Sequence, residues 1–407
     1  TGYNNIASGH QALQKNTTGN NNIASGHQAL YNNTTGFRNM GSGYQALYSN
    51  TTGFGNVASG YQALYNNTTG IYNIAIGEVA LQNNTTGSYN IASGNGALQN
   101  NTTGKWNVAI GYGALQKNTT GRQNTASGYE ALYSNTTGYN NIASGYQAMR
   151  YNTTGDDNIA CGYGALYSNT TGYNNIASGY QALYSNTTGY NNIASGYQAM
   201  RYNTTGDNNI ACGYQALYSN TTGGNNIASG YQALYSNTTG EGNVALGEKA
   251  GNEITTGELN VIIGSEADIS TNTGKNQIVI GASAKGMGDS TVVLGDSLII
   301  KTTYLHGDVD INRAYVLPNT DGTNGQVLKT DGSGNLSWQA DLVGAQSLPQ
   351  LSDVSKADAN TLTLSLDTNR SLTLNSDVII DQSLTNKDSV TFRKMVLDST
   401  ITVGKIT

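Results

Sequence analysis

The stretch Thr171-Gly-Tyr-Asn-Asn-Ile-Ala-Ser-Gly-Tyr-Gln-Ala-Leu-Tyr-Ser-Asn-Thr187 is one complete copy of a 17-residue unit that the chain repeats, with substitutions, from Thr1 onward. With Thr1 as position 1, position 2 is Gly in all seventeen units from Gly2 to Gly274, and position 9 is Gly from Gly9 to Gly281. So strict a phase predicts one supersecondary element stacked on copies of itself into a rod.

The unit itself predicts one coil of a parallel β-roll or β-solenoid. Seventeen residues are too few for two helices and a turn, which need about 30. They suit two short strands, N-N-I-A-S and Q-A-L-Y, each followed by a turn rich in Gly and Asn, which tolerate positive φ. Position 5 is Asn in the first sixteen units and then Gln277. We expect these side chains to form an amide ladder along the rod axis.

Alternation along the first strand assigns its two faces. Positions 5, 7 and 9 are Asn, Ala and Gly and fit inside a narrow coil, so positions 6 and 8 point outward. Position 6 is Ile or Val in fifteen of seventeen units, with Met40 and Thr125 as exceptions. An aliphatic stripe of that size predicts burial against sister chains, most simply around a three-fold axis. The predicted trimer-seam residues are Ile6, Ile23, Val57, Ile74, Ile91, Val108, Ile142, Ile159, Ile176, Ile193, Ile210, Ile227, Val244, Val261 and Ile278.

Two questions about the coil interior stay open at this point. A competing interpretation places the Ile/Val row inside each coil and makes the rod a monomer. In the second strand, strict alternation puts the Leu13 row inside and the Ala12 row outside, but a tight turn at positions 9 to 11 would reverse that order.

The complete chain reads as all-β in three parts. Residues 1–295 form the rod, whose last coil is shortened to a 14-residue step. Residues 296–340 form a β connector with Asp-Gly and Asn-Gly turn signals, and residues 341–407 form a β-rich stalk, which we expect to be intertwined. The short strands predicted after the rod are 298–305, 314–317, 361–366, 371–374, 390–397 and 400–403.

Composition excludes several functions. The net charge is −6 and charged residues make up 11% of the 407 residues, so no basic cluster exists to neutralise nucleic-acid phosphates. No run of 18 apolar residues predicts a membrane span. Because the chain opens at the first residue of a repeat without a capping segment, we expect a fragment of a longer protein, and missing targeting signals carry no information.

The cysteines and the titratable residues predict neither a cofactor nor a metal site. Cys161 and Cys212 hold the same position three coils apart, about 14 Å, which is too far for a disulfide. Glu241, Glu258 and Lys275 hold position 3 in successive coils, a spacing near that of a retaining glycosidase pair, but on a rod they indicate a solvated face. The three histidines, His10, His27 and His306, lack a nucleophile pattern. We therefore expect no enzyme.

Aromatic rows are the candidate contact surface. Tyr occupies position 10 in eight consecutive units, and its apolar face and polar tip suit contact with a sugar or a protein. The alternative is that stacked Tyr rings only stabilise neighbouring coils. Position 14 carries further Tyr, interrupted by Arg150 and Arg201. The receptor-contact candidates are Tyr112, Tyr129, Tyr146, Tyr163, Tyr180, Tyr197, Tyr214 and Tyr231.

Two motifs in the turn Asn-Thr-Thr-Gly are interpreted as incidental. Asn-Thr-Thr matches the N-glycosylation acceptor pattern, but the turn already explains these residues. The regular Thr rows also suggest an ice-binding function, which needs a flat Thr array to order water. Positions 17 and 1 are adjacent at a turn, however, and do not predict a flat array.

The units Asn107-Val-Ala-Ile-Gly111, Asn243-Val-Ala-Leu-Gly247, Asn260-Val-Ile-Ile-Gly264 and Gln277-Ile-Val-Ile-Gly281 resemble the N-x-V-A-I-G rungs of trimeric autotransporter adhesin heads. That resemblance implies a left-handed parallel β-roll of three chains around one axis, although position 8 is usually Ser here. The connector from Leu317 to Trp338 and the stretch 381–392 resemble phage tail fibre sequences.

Together these features predict a non-enzymatic, homotrimeric fibre in a virion tail that supports host-cell attachment. Its expected partners are other tail or baseplate proteins and a host surface glycan or protein, with no nucleic acid and no membrane insertion. The alternative is a trimeric adhesin on a bacterial cell surface. A glycan-degrading tailspike and an ice-binding solenoid are less favoured.

Overall fold

A computed structural model describes residues 2–295, 309–311, 315–317, 323, 326–331, 336–340, 354–358 and 361–364. Two units are distinguished along the chain, Thr1–Thr303 and Tyr304–Thr407. All the regular structure among these described residues is β. The first unit contains an 18-stranded parallel sheet in which each strand pairs with the next one along the chain.

Each coil contributes one three-residue strand, at positions 6 to 8. Neighbouring strands are in register, so that Ile176 pairs with Ile193 and Ala177 with Ala194. The strands are β1 Ile6–Ser8, β2 Ile23–Ser25, β3 Met40–Ser42, β4 Val57–Ser59, β5 Ile74–Ile76, β6 Ile91–Ser93, β7 Val108–Ile110, β8 Thr125–Ser127, β9 Ile142–Ser144, β10 Ile159–Cys161, β11 Ile176–Ser178, β12 Ile193–Ser195, β13 Ile210–Cys212, β14 Ile227–Ser229, β15 Val244–Leu246, β16 Val261–Ile263, β17 Ile278–Ile280 and β18 Val292–Leu294. The 17-residue solenoid is confirmed. So is its shortened last step, because Ile278 pairs with Val292.

The predicted second strand, Q-A-L-Y, is wrong. Positions 11 and 13 are left-handed, with φ of 53° at Gln181 and 50° at Leu183, so this segment turns instead of extending. Left-handed Leu and Gln cost about 1–2 kcal/mol each. Axial hydrogen bonds offset that cost: Gln181 N donates to Tyr163 O at 2.8 Å and Leu183 N to Ala199 O at 3.0 Å.

The left-handed residues also explain why both the position-12 row and the position-13 row line the interior. Both Ala182 and Leu183 are fully buried, together with Ala177 from the strand. Two consecutive residues cannot share a face of an extended strand, but the change of hand at position 13 brings both inward. The core is therefore three parallel rows of small and medium apolar side chains, at positions 7, 12 and 13.

The amide ladder at position 5 is confirmed. Asn175 Nδ2 donates to Asn158 Oδ1 at 3.1 Å and to Gly189 O at 2.8 Å, while Asn175 N also donates to Asn158 Oδ1 at 3.0 Å. These side chains are completely buried, so each amide satisfies backbone groups that would otherwise lack a partner.

A second buried ladder, at position 16, was not predicted. Asn186 Nδ2 donates to Asn169 Oδ1 at 2.9 Å and to Gly189 O at 3.0 Å. From Gly19 to Gly240, each position-2 glycine carbonyl therefore accepts from both ladders. These are the Asn residues of the Asn-Thr-Thr pattern. From Asn33 to Asn237 these side chains are fully buried, so the amide nitrogen that would carry a glycan is inaccessible. This agrees with treating the glycosylation motif as incidental.

The position-9 glycines mark the closest approach between coils. Gly179 has a φ of 139°, and a Cβ placed on it would lie 2.7 Å from the carbonyl carbon of Gly196 and collide with its oxygen. Only glycine meets both the backbone conformation and the spacing. The unbroken Gly series in the sequence is thus a steric requirement of stacking.

The core changes composition in the coil that contains β15. Gly251 takes the position of the Leu row, and Ile254 replaces Asn at position 16 and is buried. The Ile254 side chain lies close to Gly251, where a Cβ would approach it at 3.1 Å. The position-16 ladder therefore ends at Asn237, whose buried Oδ1 has no hydrogen-bond partner.

A double-mutant cycle at Gly251 and Ile254 should be strongly non-additive. Ile254→Asn alone empties core volume and should cost about 2 kcal/mol, and Gly251→Leu alone should overpack against Ile254 and cost about 1–3 kcal/mol. The double variant restores positions 13 and 16 of the preceding coils and gives Asn237 Oδ1 a donor, but the new leucine still meets Ile262, which replaces Ala at position 7 of the next coil. Its cost should therefore be well below the sum of the two single costs. Urea unfolding of all four proteins measures the coupling. Additive costs would contradict it.

The second unit is described through three antiparallel strand pairs: β19 Val309–Ile311 with β20 Tyr315–Leu317, β21 Gln326–Thr330 with β22 Leu336–Ala340, and β23 Val354–Asp358 with β24 Thr361–Leu364. The predicted strands at 314–317 and 361–366 are confirmed over 315–317 and 361–364. Those at 298–305, 371–374, 390–397 and 400–403 lie outside the described residues. The boundaries after residues 295 and 340 stay predictions.

Candidate interaction surface

The position-6 row lies on the outer surface of the coils. Ile142, for example, is 43% exposed, while its neighbour Ala143 is fully buried. The prediction that this row points outward is confirmed, and the competing interpretation that it fills the coil interior is wrong. Of the predicted seam residues, the eleven isoleucines are exposed and the four valines are half-buried. Burial of this row against sister chains stays a prediction.

The position-10 tyrosines form one continuous exposed ladder. Their rings stack nearly parallel, with centroids 5.0–5.2 Å apart, from Tyr112 to Tyr231. Neighbouring rings cover the ring faces, so the edges and hydroxyl groups face solvent. This geometry agrees with the stabilising role of stacked aromatics. Contact with a receptor remains a prediction.

Positions 6, 8 and 10 together form what we term the outer face. Position 8 is mostly Ser and exposed, and two residues of extended chain span at most about 7 Å, so the three rows run side by side. In five coils position 8 is an aliphatic residue, half-buried at Ile263 and exposed at Ile76, Ile110, Leu246 and Ile280. The outer face is uncharged over most of its length.

A fourth row, at position 4, was missed by the sequence reasoning. All its residues are left-handed, and most are Asn, Asp or Gly, which adopt this conformation readily. In three consecutive coils the residues are instead Tyr72, Tyr89 and Trp106, with φ of 54°, 60° and 57°. Their rings stack at 5.5 and 6.2 Å. The detectable signal was the departure from Asn at one fixed position.

The two arginines that interrupt the position-14 tyrosines are held within the rod. Arg150 Nε lies 2.6 Å from Glu130 Oε2, and its guanidinium stacks on Tyr133 and Tyr151. Burial raises the pKa of Glu130, but hydrogen bonds from Arg150 and Gln147 outweigh it, so that the pKa lies below its usual value. In the equivalent cluster Arg201 Nε donates to Gln181 Oε1 at 3.1 Å. The Arg150 charge is thus paired with a carboxylate, whereas the partners of Arg201 are a neutral amide and tyrosine rings.

Glu258 of the position-3 acidic pair and two further position-3 acids, Asp156 and Asp207, have structural partners. Lys275 Nζ lies 3.0 Å from Glu258 Oε2, as expected for a solvated ion pair. Asp156 Oδ1 accepts from Tyr139 N at 2.8 Å, and Asp207 Oδ1 accepts from Tyr190 N at the same distance. Burial raises the pKa of Asp156.

The histidines and cysteines do not assemble into a reactive cluster within the described residues. His10 and His27 stack with centroids 5.0 Å apart, and His306 lies outside the described residues. Cys161 and Cys212 are free thiols, as their spacing predicted. No cluster of three or more His, Cys, Asp or Glu suitable for a metal ion occurs among the described residues.

The threonine rows do not form two equivalent hydroxyl arrays. At position 17, Thr187 Oγ1 donates to Thr204 O at 3.0 Å, and this bond recurs from coil to coil. Position 1 is exposed. One row of hydroxyls is thus committed to axial bonding, which weighs against an ice-binding function.

Comparison with protein-family models and with curated proteins returns no match. In the described part of the chain, no helix has the length and apolar character needed to cross a membrane.

Proposed function

We propose that this chain is a non-enzymatic structural fibre segment that assembles as a homotrimer and supports host-cell attachment in a virion tail. The exposed aliphatic row at position 6 is the observation that carries the proposal. A row that is Ile or Val in fifteen of seventeen coils is larger than the apolar patches that a solitary soluble rod exposes. Sister chains offer an identical row in the same register.

The axial bonding of the coils supports the role of a spacer. Backbone bonds connect each coil to the next, and the two amide ladders and the aromatic stacks reinforce this bonding over most of the rod. At about 4.8 Å for each coil, the eighteen strands extend over about 85 Å. The partners in this proposal are tail or baseplate proteins at one end and a host glycan or protein receptor along the fibre or beyond it.

A bacterial surface adhesin is the second candidate. It is favoured by the coils that carry aliphatic residues at both position 6 and position 8, such as Val108 and Ile110, since these are the rungs that resemble adhesin heads. Both candidates require the same trimer. The domains encoded beside this chain in its complete gene separate a virion from a cell surface.

Solution mass tests the trimer. Sedimentation equilibrium or light scattering should give three times the chain mass of 42.6 kDa. Replacing Ile176 and Ile210 with Asp should yield single chains, because each substitution places three carboxylates around the proposed axis. A parent protein of single-chain mass would contradict the trimer.

Tyr173→Asp is the matched control for that experiment. Position 3 already carries Asp156 and Asp207 in two other coils, so the change adds a carboxylate at a position that the rod accommodates. The control should retain the trimer mass. Thr125 at position 6 shows that a polar residue is compatible with the coil. A change from trimer mass to single-chain mass in the Ile→Asp variant would therefore report on assembly. Circular dichroism should confirm that the coils of this variant remain folded.

A further inference from the structure

The aromatic ladder at position 4, formed by Tyr72, Tyr89 and Trp106, is conformationally costly. Bulky side chains in the left-handed region are outliers, whereas Asn adopts it with little strain. Asn at this position also forms its own axial bond, as Asn174 Nδ2 does to Asn191 Oδ1 at 3.2 Å. Strained residues kept at the surface point to a function other than stability.

The ladder ends in an unusually exposed tryptophan. Trp106 is 52% exposed, and Tyr89 stacks on one side of it. The following coil places Gln123 at position 4, so no further ring continues the stack. An exposed indole at the end of a rigid stack is an aromatic platform of the kind enriched at binding hot spots.

Two cations stand beside this platform. Lys105 and Arg122 occupy position 3 in adjacent coils, and both are exposed. Neighbouring strands place them about 5 Å apart, and like charges at that separation are unfavourable. Within the described residues neither forms an ion pair, although Arg122 lies over the ring of Tyr139.

We propose that Tyr72, Tyr89 and Trp106, with Lys105 and Arg122, bind an acidic polysaccharide. The C–H face of a sugar ring would pack on Trp106, and the sugar carboxylates would pair with the two cations. The proposal deepens and rests on the host-attachment function, because it names the receptor chemistry and moves the contact away from the position-10 tyrosines.

The surroundings favour this ligand over three others. A second copy of the chain would bring Lys105 and Arg122 towards their own counterparts, which is repulsive. Nucleic acid would need more than two cations on a chain of net charge −6. A protein partner would anchor in a pocket, whereas these five residues form an exposed strip. An extended polymer with regularly spaced carboxylates fits that strip.

The test is calorimetric titration of the full chain with polygalacturonate and with polysialate. Binding of at least one polymer is expected, and methyl-esterified polygalacturonate, which has the same backbone without charge, should bind far more weakly. Trp106→Asn and the double variant Lys105→Gln/Arg122→Gln should each weaken binding about tenfold. Trp106→Asn should retain or increase stability because Asn is the common residue at this position.

Leu259→Asn is the matched control, since it removes an exposed apolar residue from position 4 in a distant coil, and it should leave affinity unchanged. Failure of both acidic polymers to bind would overturn the proposal. The proposal would also be overturned if Trp106→Asn bound the acidic polymer as tightly as the parent protein. Binding of polyglutamate or oligothymidylate that is equally tight and depends on Trp106 would overturn it as well. The solution mass of the same samples tests the trimer separately from polysaccharide binding. Single chains that still bind the polymer would refute the trimer and leave the binding site supported.

Discussion

Replacing Gly179 with alanine is expected to separate the rod into two independently unfolding halves. The new methyl group would occupy the space of the Gly196 carbonyl, at a φ of 139° that alanine does not adopt. Since each coil is stabilised mainly by its neighbours, the damage should concentrate at one junction and cost at least about 4 kcal/mol. Amide hydrogen exchange should show lost protection in the coils around β11 and β12 and retained protection far from them.

Gly164→Gln provides the control for this experiment. Gly164 is also left-handed, with a φ of 60°, but its position is occupied by Gln181 in the next coil at 53°. A Cβ there would meet two side chains and no backbone, with the Tyr184 ring at 3.3 Å and Gln181 Cγ at 3.7 Å. We expect its stability to remain within about 1 kcal/mol of the parent. If Gly179→Ala proved as mild as Gly164→Gln, the close packing of the position-9 glycines would be refuted.

Replacing Asn175 with leucine should be the second most damaging change. Asn175 Oδ1 accepts from Asn192 N at 3.0 Å and Asn192 Nδ2 at 3.2 Å, and its own Nδ2 donates to Asn158 Oδ1 and Gly189 O. Leucine leaves a buried backbone N–H and a buried amide without these partners. Each buried polar group left without a partner costs about 1–3 kcal/mol. The free energy of unfolding, measured with urea, should therefore fall by about 4 kcal/mol.

The adjacent residue supplies the comparison for the ladder variant. Asn174 is exposed and left-handed, and Gly takes its position at Gly55 and Gly242. Asn174→Gly should therefore change stability by no more than about 0.5 kcal/mol. Equal effects of the two substitutions would show that the buried amides contribute no more than surface ones.

The sequence predicted the part of the fold that follows from period and alternation. A fixed phase specified the stack, and the alternation through Asn175, Ile176 and Ala177 specified which side chains point outward. The second half of the coil could not be predicted in the same way. Left-handed Leu183 opposes the ordinary preference of leucine, and it is stabilised by a hydrogen bond to the next coil that local propensity does not contain.

The candidate surface was predicted unevenly for a related reason. The position-10 tyrosines were recognised because they repeat, and the structure places them in one ladder. Asn186 and its equivalents were interpreted as turn residues, since a buried amide ladder and a turn signal share the same letters. Trp106 was overlooked because it departs from a pattern whose conformational requirement, a left-handed backbone, is visible only in three dimensions.

The direction of the bonds between coils has a mechanical consequence. Nearly every hydrogen bond that joins one coil to the next runs along the rod, so tension on its two ends loads a few bonds at a time in a peeling geometry. Each coil of 17 residues would release about 50 Å of extended chain as it detaches. A tether built this way yields in small equal increments under load, and it absorbs a sudden pull without breaking the covalent chain.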